Sequence, residues 1–292
     1  MGVKAVFYNP STKVLRPGWR IPLLLLWTIP ILAGLGWLSK LIQLGESQPM
    51  FLPIKAATGL AYILSLLGVY ALFARVVERR NPAELKVDRG ALRHLALGFL
   101  MGGGVMLCLT AVLALAGCYR VASLNSAWFM LRALIFYLPQ SFIEDFLFCL
   151  ILYRLLREGL GRRAALIVAP LLFMAAHLGN RNESPIGLLE IFTGGCLMYY
   201  AFDRTGSFWT VWAMHFSWNF IMNGVLGLAN SGQAIPGFIR PVVSGPAWLT
   251  GGATGPEASV LAVGFDLLLL LLLWKSKDRW LAPQRHPDSQ PA

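Results

Sequence analysis

Phe142-Ile143-Glu144-Asp145-Phe146-Leu147-Phe148-Cys149-Leu150-Ile151-Leu152-Tyr153 sets two adjacent carboxylates inside a largely apolar run that extends from Ala127 to Leu156. A helix needs about 20 apolar residues to cross a hydrocarbon core of about 30 Å, and this run exceeds that length. An ionisable group at such a depth is expensive, so it reads first as part of a functional site with a partner elsewhere in the chain. Two further clusters of the same kind follow, each in apolar sequence. They are Phe173-Met174-Ala175-Ala176-His177 and His215-Phe216-Ser217-Trp218-Asn219.

The rest of the chain fits a membrane setting. Of 292 residues, 57% are hydrophobic and 13% charged, about half the charge of a typical soluble domain. Apolar runs recur throughout, and the expected fold is all-α, a polytopic bundle of about eight transmembrane helices forming a single membrane domain over residues 1–292. The expected spans are 21–37, 52–73, 95–117, 127–156, 164–177, 185–202, 207–228 and 258–274, with the core of interest at 127–229. Polar segments separate them, among them a turn at 40–50, a loop at 75–93 and a Gly/Pro-rich loop containing Arg240. The four cysteines lie in or beside apolar segments without a C-x-x-C pair, so they read as core residues and not as a disulfide framework.

The net charge of +11 does not imply nucleic acid as a partner. Only six of the 25 Lys and Arg residues (Lys40, Lys55, Arg120, Arg132, Arg181 and Arg240) fall on one side of the eight-span arrangement. The remainder share the side of both termini, which the positive-inside rule makes cytoplasmic. Gly98 and Gly102, four residues apart in the third span, permit close helix approach. No strand precedes them, so they are not a nucleotide loop.

At a rise of about 1.5 Å per residue, Glu144 lies about 15 Å from the level of Arg154 and His215 about 14 Å from that of Gly206. His177 falls about 21 Å from the level of Arg163, a turn further in. The three spans can therefore share one polar layer. His215 and Asn219 occupy one helical face, whereas Glu144 and Asp145 point about 100° apart, so one can face a cavity and the other a neighbouring helix. A carboxylate in apolar surroundings suits general-base work near neutral pH, and imidazole and amide groups beside it can hold a water or bind an oxyanion. The same residues also suit interhelical hydrogen bonding, or a proton relay in a carrier. No matching pair of broken helices occurs in the two halves, which ranks transport last. Glu190 and Asp266 are also intramembrane acids, for which a structural or snorkelling reading is preferred. Trp209, Trp212 and Trp218 read as packing or interfacial residues.

The ordered set Glu144-Asp145, Phe173-x-x-x-His177 and His215-x-x-x-Asn219 resembles the three motifs of the CAAX-protease and bacteriocin-processing family of intramembrane proteases, also called the abortive-infection family. Gly179-Asn180 and Arg204-Thr205-Gly206-Ser207-x-Trp209 are similar to bacterial members, and the resemblance covers Gln140 to Asn223. It implies an eight-helix core in the bacterial inner membrane, in contact with lipid. It also implies endopeptidase action on a membrane-associated, prenylated-type or otherwise hydrophobic peptide.

Carried over by motif, Glu144 would be the base, with Asp145 as its neighbouring acid. His177 and His215 would position the water or the carbonyl, and Asn219 would stabilise the oxyanion. Members are often described as metalloproteases. This chain has no H-E-x-x-H helix, no cofactor is required by the glutamate reading, and a zinc ion would have to use Glu144, His177 and His215. Two positions depart from the family pattern: Asp145 stands where a second Glu is usual, and Cys149 stands where the motif has Arg. Loss of that guanidinium removes the fixed charge that would orient the acid pair. The expectation is reduced activity, shifted to higher pH, or a scaffold retained as a membrane binding or immunity factor.

Overall fold

The computed structural model describes residues 6–9, 12, 14–42 and 50–276. Most of the polar turn expected at 40–50, Lys4 and Lys13 of the basic leader, and the polar tail beyond residue 276 lie outside the described residues.

The chain is an all-helical membrane bundle. In order, the helices are α1 (Pro17–Leu41), α2 (Phe51–Val76), α3 (Arg89–Leu115), α4 (Trp128–Asp145), α5 (Arg154–Leu160), α6 (Arg162–Ala176), α7 (Pro185–Thr205), α8 (Phe208–Asn219), α9 (Ala247–Thr250) and α10 (Val260–Lys275). Five segments among the described residues are long and apolar enough to cross a membrane: α1, α2, α3, the continuous Trp128–Leu160 and α7. The expected fifth, seventh and eighth spans correspond to α6, α8 and α10, which are apolar but shorter. At 15 residues α6 is about 22 Å long, less than the hydrocarbon thickness. Leu26, Leu60, Leu64, Leu100, Leu107 and Leu267 project outward, as lipid-facing side chains do.

Local sequence explains several helix ends. Asp88 caps α3 by accepting hydrogen bonds from the Gly90 and Ala91 amides. Ser184 caps α7 with Pro185 in its first turn, and Gly206 in the left-handed region ends it. One feature lies outside the expected plan. β1 (Tyr119–Leu124) and β2 (Ile239–Val243) pair antiparallel, with Tyr119 opposite Val243, so the Gly/Pro-rich loop is partly a strand. Its partner precedes it by more than a hundred residues, which no local pattern could reveal.

Two helices change pitch directly after a motif. α4 passes into a π-helical segment at Phe146–Tyr153, immediately after Glu144-Asp145, and α8 does so at Phe220–Val225, immediately after Asn219. A π turn takes up an extra residue and rotates all that follows by about 100° relative to a continuous α-helix. The motif residues can thus face inward while the next turns pack independently. Phe146, Cys149, Leu150, Ile151 and Tyr153 are fully buried, and Phe142 stacks edge-on against Phe208 of α8 at 5.2 Å.

Below the first π segment lies a buried ionic network. Glu78, with 1% of its side chain exposed, pairs with Arg20 of α1 at 3.0 Å, with Arg154 of α5 at 2.7 Å and with Arg80 at 2.7 Å. Arg80 also pairs with Glu84 at 2.7 Å, and Arg20 reaches Glu158. These arginines therefore tie α1, α5 and the α2–α3 connection together, beyond their role as topology charges. Burial works against ionised Glu78 and Glu84, but the facing guanidiniums outweigh it and hold both carboxyls below the usual range. A depressed folded value gives stability that is present above the unfolded carboxyl range and lost as pH falls through the folded value. Thermal stability in detergent is therefore expected to drop as pH is lowered below about 4.3, the ordinary glutamate value. Glu78→Gln, which takes away the charge shared by Arg20, Arg80 and Arg154 but leaves them Glu158 and Glu84, should cost about 1–3 kcal/mol at neutral pH. A melting series against pH for both proteins checks this, and a wild-type curve flat between pH 6 and 3 would contradict it.

Candidate active site

Glu144, His177, His215 and Asn219 line one cavity of about 170 Å³ between helices. α4, α6 and α8 each contribute a motif, so the three clusters share a layer. His177 lies at the C-terminal end of α6, its Nδ1 is 2.7 Å from the Phe173 carbonyl oxygen, and its ring lies against the Phe173 ring at 4.5 Å.

His215 stands between the two acids. Its Nδ1 is 3.1 Å from Asp145 Oδ1 and its Nε2 is 3.7 Å from Glu144 Oε2. The adjacent acids thus divide as helical geometry requires. Asp145, 2% exposed, turns to the neighbouring helix, while Glu144, with 27% of its side chain exposed, faces the cavity. The Asp145 carboxylate holds the Nδ1 proton of His215 and fixes the ring, with Nε2 turned towards Glu144. Gln140, one turn before Glu144, donates from Nε2 to Glu144 Oε1 at 3.1 Å.

Asn219 is fixed by two residues the sequence did not single out. Asn230 donates to Asn219 Oδ1 at 2.9 Å, and Asn219 Nδ2 reaches Ser141 Oγ at 3.4 Å. The amide oxygen is therefore occupied, and Nδ2 is the group left to donate. Gln140 was within reach of sequence reasoning as the i−4 neighbour of a buried acid. Asn230 was not, because it follows a π turn whose rotation leaves no periodic trace.

Cys149 is buried in the first π segment with no exposure, and Asp145 Oδ2 is buried without a hydrogen-bond partner. The orphaned oxygen belongs to the residue four positions before Cys149. Arg154 does not supply its partner, being held by Glu78 and by the Leu150 carbonyl at 3.1 Å.

Glu190 and Asp266 do not snorkel: both are buried, and both line the same cavity as Glu144. Trp218 also lines it, whereas Trp209 and Trp212 act as anchors, donating to the carbonyls of Lys86 and Leu138 at 3.1 Å each. Among the described residues no three His, Cys, Asp or Glu side chains converge closely enough to hold a metal ion. His177 and His215 both direct Nδ1 at protein oxygens, which leaves Nε2 of each turned to the cavity side of the ring.

A polar chamber between the helices thus carries an acid, two imidazoles and an amide on its wall. Residues 126–221, which hold all three motifs, match the family model described as type II CAAX prenyl endopeptidase, Rce1-like. That segment is similar to a family of proteases, and the five long apolar helices are those of an integral membrane protein. No curated protein matches the chain, and no solved structure does.

Proposed function

We propose that the protein is an intramembrane endopeptidase that hydrolyses a peptide bond in a membrane-associated, hydrophobic or prenylated-type peptide, with Glu144 as the base. The observation that carries this reading is the facing of Glu144 Oε2 and His215 Nε2 across 3.7 Å on the cavity wall, a separation one water can bridge. Glu144 takes a proton from that water as its oxygen attacks the carbonyl carbon. The oxyanion accepts a hydrogen bond from Asn219 Nδ2, while His177, whose Nδ1–H donates to the Phe173 carbonyl, positions the water through Nε2. Glu144 then passes its proton to the leaving nitrogen as the C–N bond breaks. Asp145 acts through His215 by fixing its ring. The reaction routes no step through a metal ion, the whole chain serves as one membrane domain, and both termini face the cytoplasm.

The test is cleavage of a panel of lipidated and unmodified apolar peptides by the purified protein in detergent, with and without a chelator. Cleavage that survives the chelator is expected, and cleavage abolished by it and restored by zinc would overturn the metal-free mechanism. In the same assay Cys149→Arg is expected to raise turnover per folded molecule several-fold, by placing a guanidinium against Asp145 Oδ2. It should also lower thermal stability by about 1–3 kcal/mol, because the site is fully packed. If neither the wild type nor Cys149→Arg cleaves any peptide, the protein is a binding relative and not an enzyme.

A further inference from the structure

Opposite the motifs, the cavity wall carries a second acidic pair. Glu190 comes from α7 and Asp266 from α10, and they are 8% and 1% exposed. Thr193 donates to Asp266 Oδ2 at 3.1 Å, while Asp266 Oδ1 is buried with no partner. Both carboxyls flank the bare face of Gly194: a Cβ there would stand 3.3 Å from Glu190 Oε1 and 3.4 Å from Asp266 Oδ2. Among the described residues, no Lys or Arg lines the cavity.

Two carboxyl groups this close cannot both be ionised in a dry setting without a countercharge. A structural pair of this kind would bury its oxygens between helices and satisfy each of them. Here the pair lines a chamber shared with Glu144, and one buried oxygen of Asp266 is left without a partner. Glu183 and Glu257 line the same chamber, so its field attracts cations, and the imidazoles of His177 and His215 are the only basic side chains on its wall among the described residues.

We infer that the Glu190–Asp266 pair is a specificity subsite for a positively charged side chain, lysine or arginine, of the peptide substrate. The inference rests on the endopeptidase reading and deepens it. An ammonium seated there would supply the missing partner of Asp266 Oδ1 and relieve the repulsion between the acids. It would also fix the register of the peptide relative to Glu144.

A single lysine moved through a short apolar peptide, each version set against its Nε-acetyl-lysine counterpart, tests this. At one position the wild type is expected to prefer lysine by about 10- to 100-fold in kcat/KM, the range a charge-assisted hydrogen bond supplies. In Glu190→Gln/Asp266→Asn, which keeps shape and the Thr193 contact, that ratio should fall towards one. The single Asp266→Asn should lower it in the same direction should the double variant not accumulate. A ratio near one at every position in the wild type, or an unchanged ratio in the variants, overturns the subsite. Fluorescent versions of the same peptides bound to Glu144→Gln separate the two readings. Lysine-selective binding without any cleavage by the wild type would sink the endopeptidase and keep the subsite, whereas cleavage without selectivity would do the reverse.

Discussion

Glu144→Gln is expected to lower kcat for peptide cleavage by about 10²- to 10⁴-fold, the usual contribution of a positioned general base, with the melting temperature almost unchanged. The amide keeps the oxygen that accepts from Gln140 Nε2 at 3.1 Å and fills the same space, but it cannot take a proton from water. Its side chain is partly exposed to the cavity, so no buried ionic network depends on its charge. His215→Ala should lose comparable activity, because it removes the Nε2 that faces Glu144 and leaves Asp145 without its one partner. It should also lose stability, since an unpaired acid then sits 2% exposed in the core. The contrast between the variants is the informative part: one is a chemical loss alone, the other a chemical and a structural loss. Cleavage by Glu144→Gln within tenfold of wild type would move the base elsewhere. Glu257 would be the next candidate, because it too lines the cavity.

The motifs were legible in the sequence because burying a carboxylate or an imidazole in a membrane-length run is costly, so such residues stand out without any structure. Their common layer followed from helical rise alone, and the division of labour between Glu144 and Asp145 from the angle between neighbours on a helix. What stayed hidden depends on rotation and on distant partners. Glu190 and Asp266 looked like isolated acids because the faces that α7 and α10 turn inward are set by packing and not by a polar stripe. The π turns after Asp145 and Asn219 shift that rotation without altering composition, which concealed Asn230. Arg20 and Arg154 read correctly as charges near one end of the bundle, but their shared partner Glu78 lies in a connection whose fold no periodicity describes. The strand at Ile239–Val243 was hidden for the same reason, since its pairing is wholly non-local.

Gly102→Ala, which adds one methyl group at a cavity-lining position that bears no reacting group, should cost about as much activity as an active-site substitution. α3 and α8 approach so closely that a Cβ on Gly102 would lie 2.0 Å from the Met214 carbonyl oxygen and 2.7 Å from Ser217 Oγ, against about 3.4 Å for ordinary contact. Gly98, one turn earlier, is pressed in the same way against the Thr210 carbonyl oxygen at 2.2 Å. The obstacle at both positions is backbone, which has no rotamer to yield, so α8 itself must move. The residue after Met214 is His215, and relief of more than an ångström there shifts its ring away from both Glu144 and Asp145. A displacement of about 1 Å in a catalytic group costs on the order of 10²-fold in rate, and the overpacking itself costs about 1–3 kcal/mol. The hydrogen bond from the Gly103 amide to Ser217 Oγ, 2.9 Å long, would stretch with it. Gly104→Ala is the matched control. Nothing lies within 4 Å of a Cβ at that position, so activity should be retained and stability should rise by about 0.5–1 kcal/mol, the ordinary gain of alanine over glycine in a helix. Measured together, kcat and melting temperature for the two variants separate helix propensity from helix approach. If Gly102→Ala kept wild-type turnover, α8 would have to yield without carrying His215, and the rigid seating of the second histidine on α3 would be wrong.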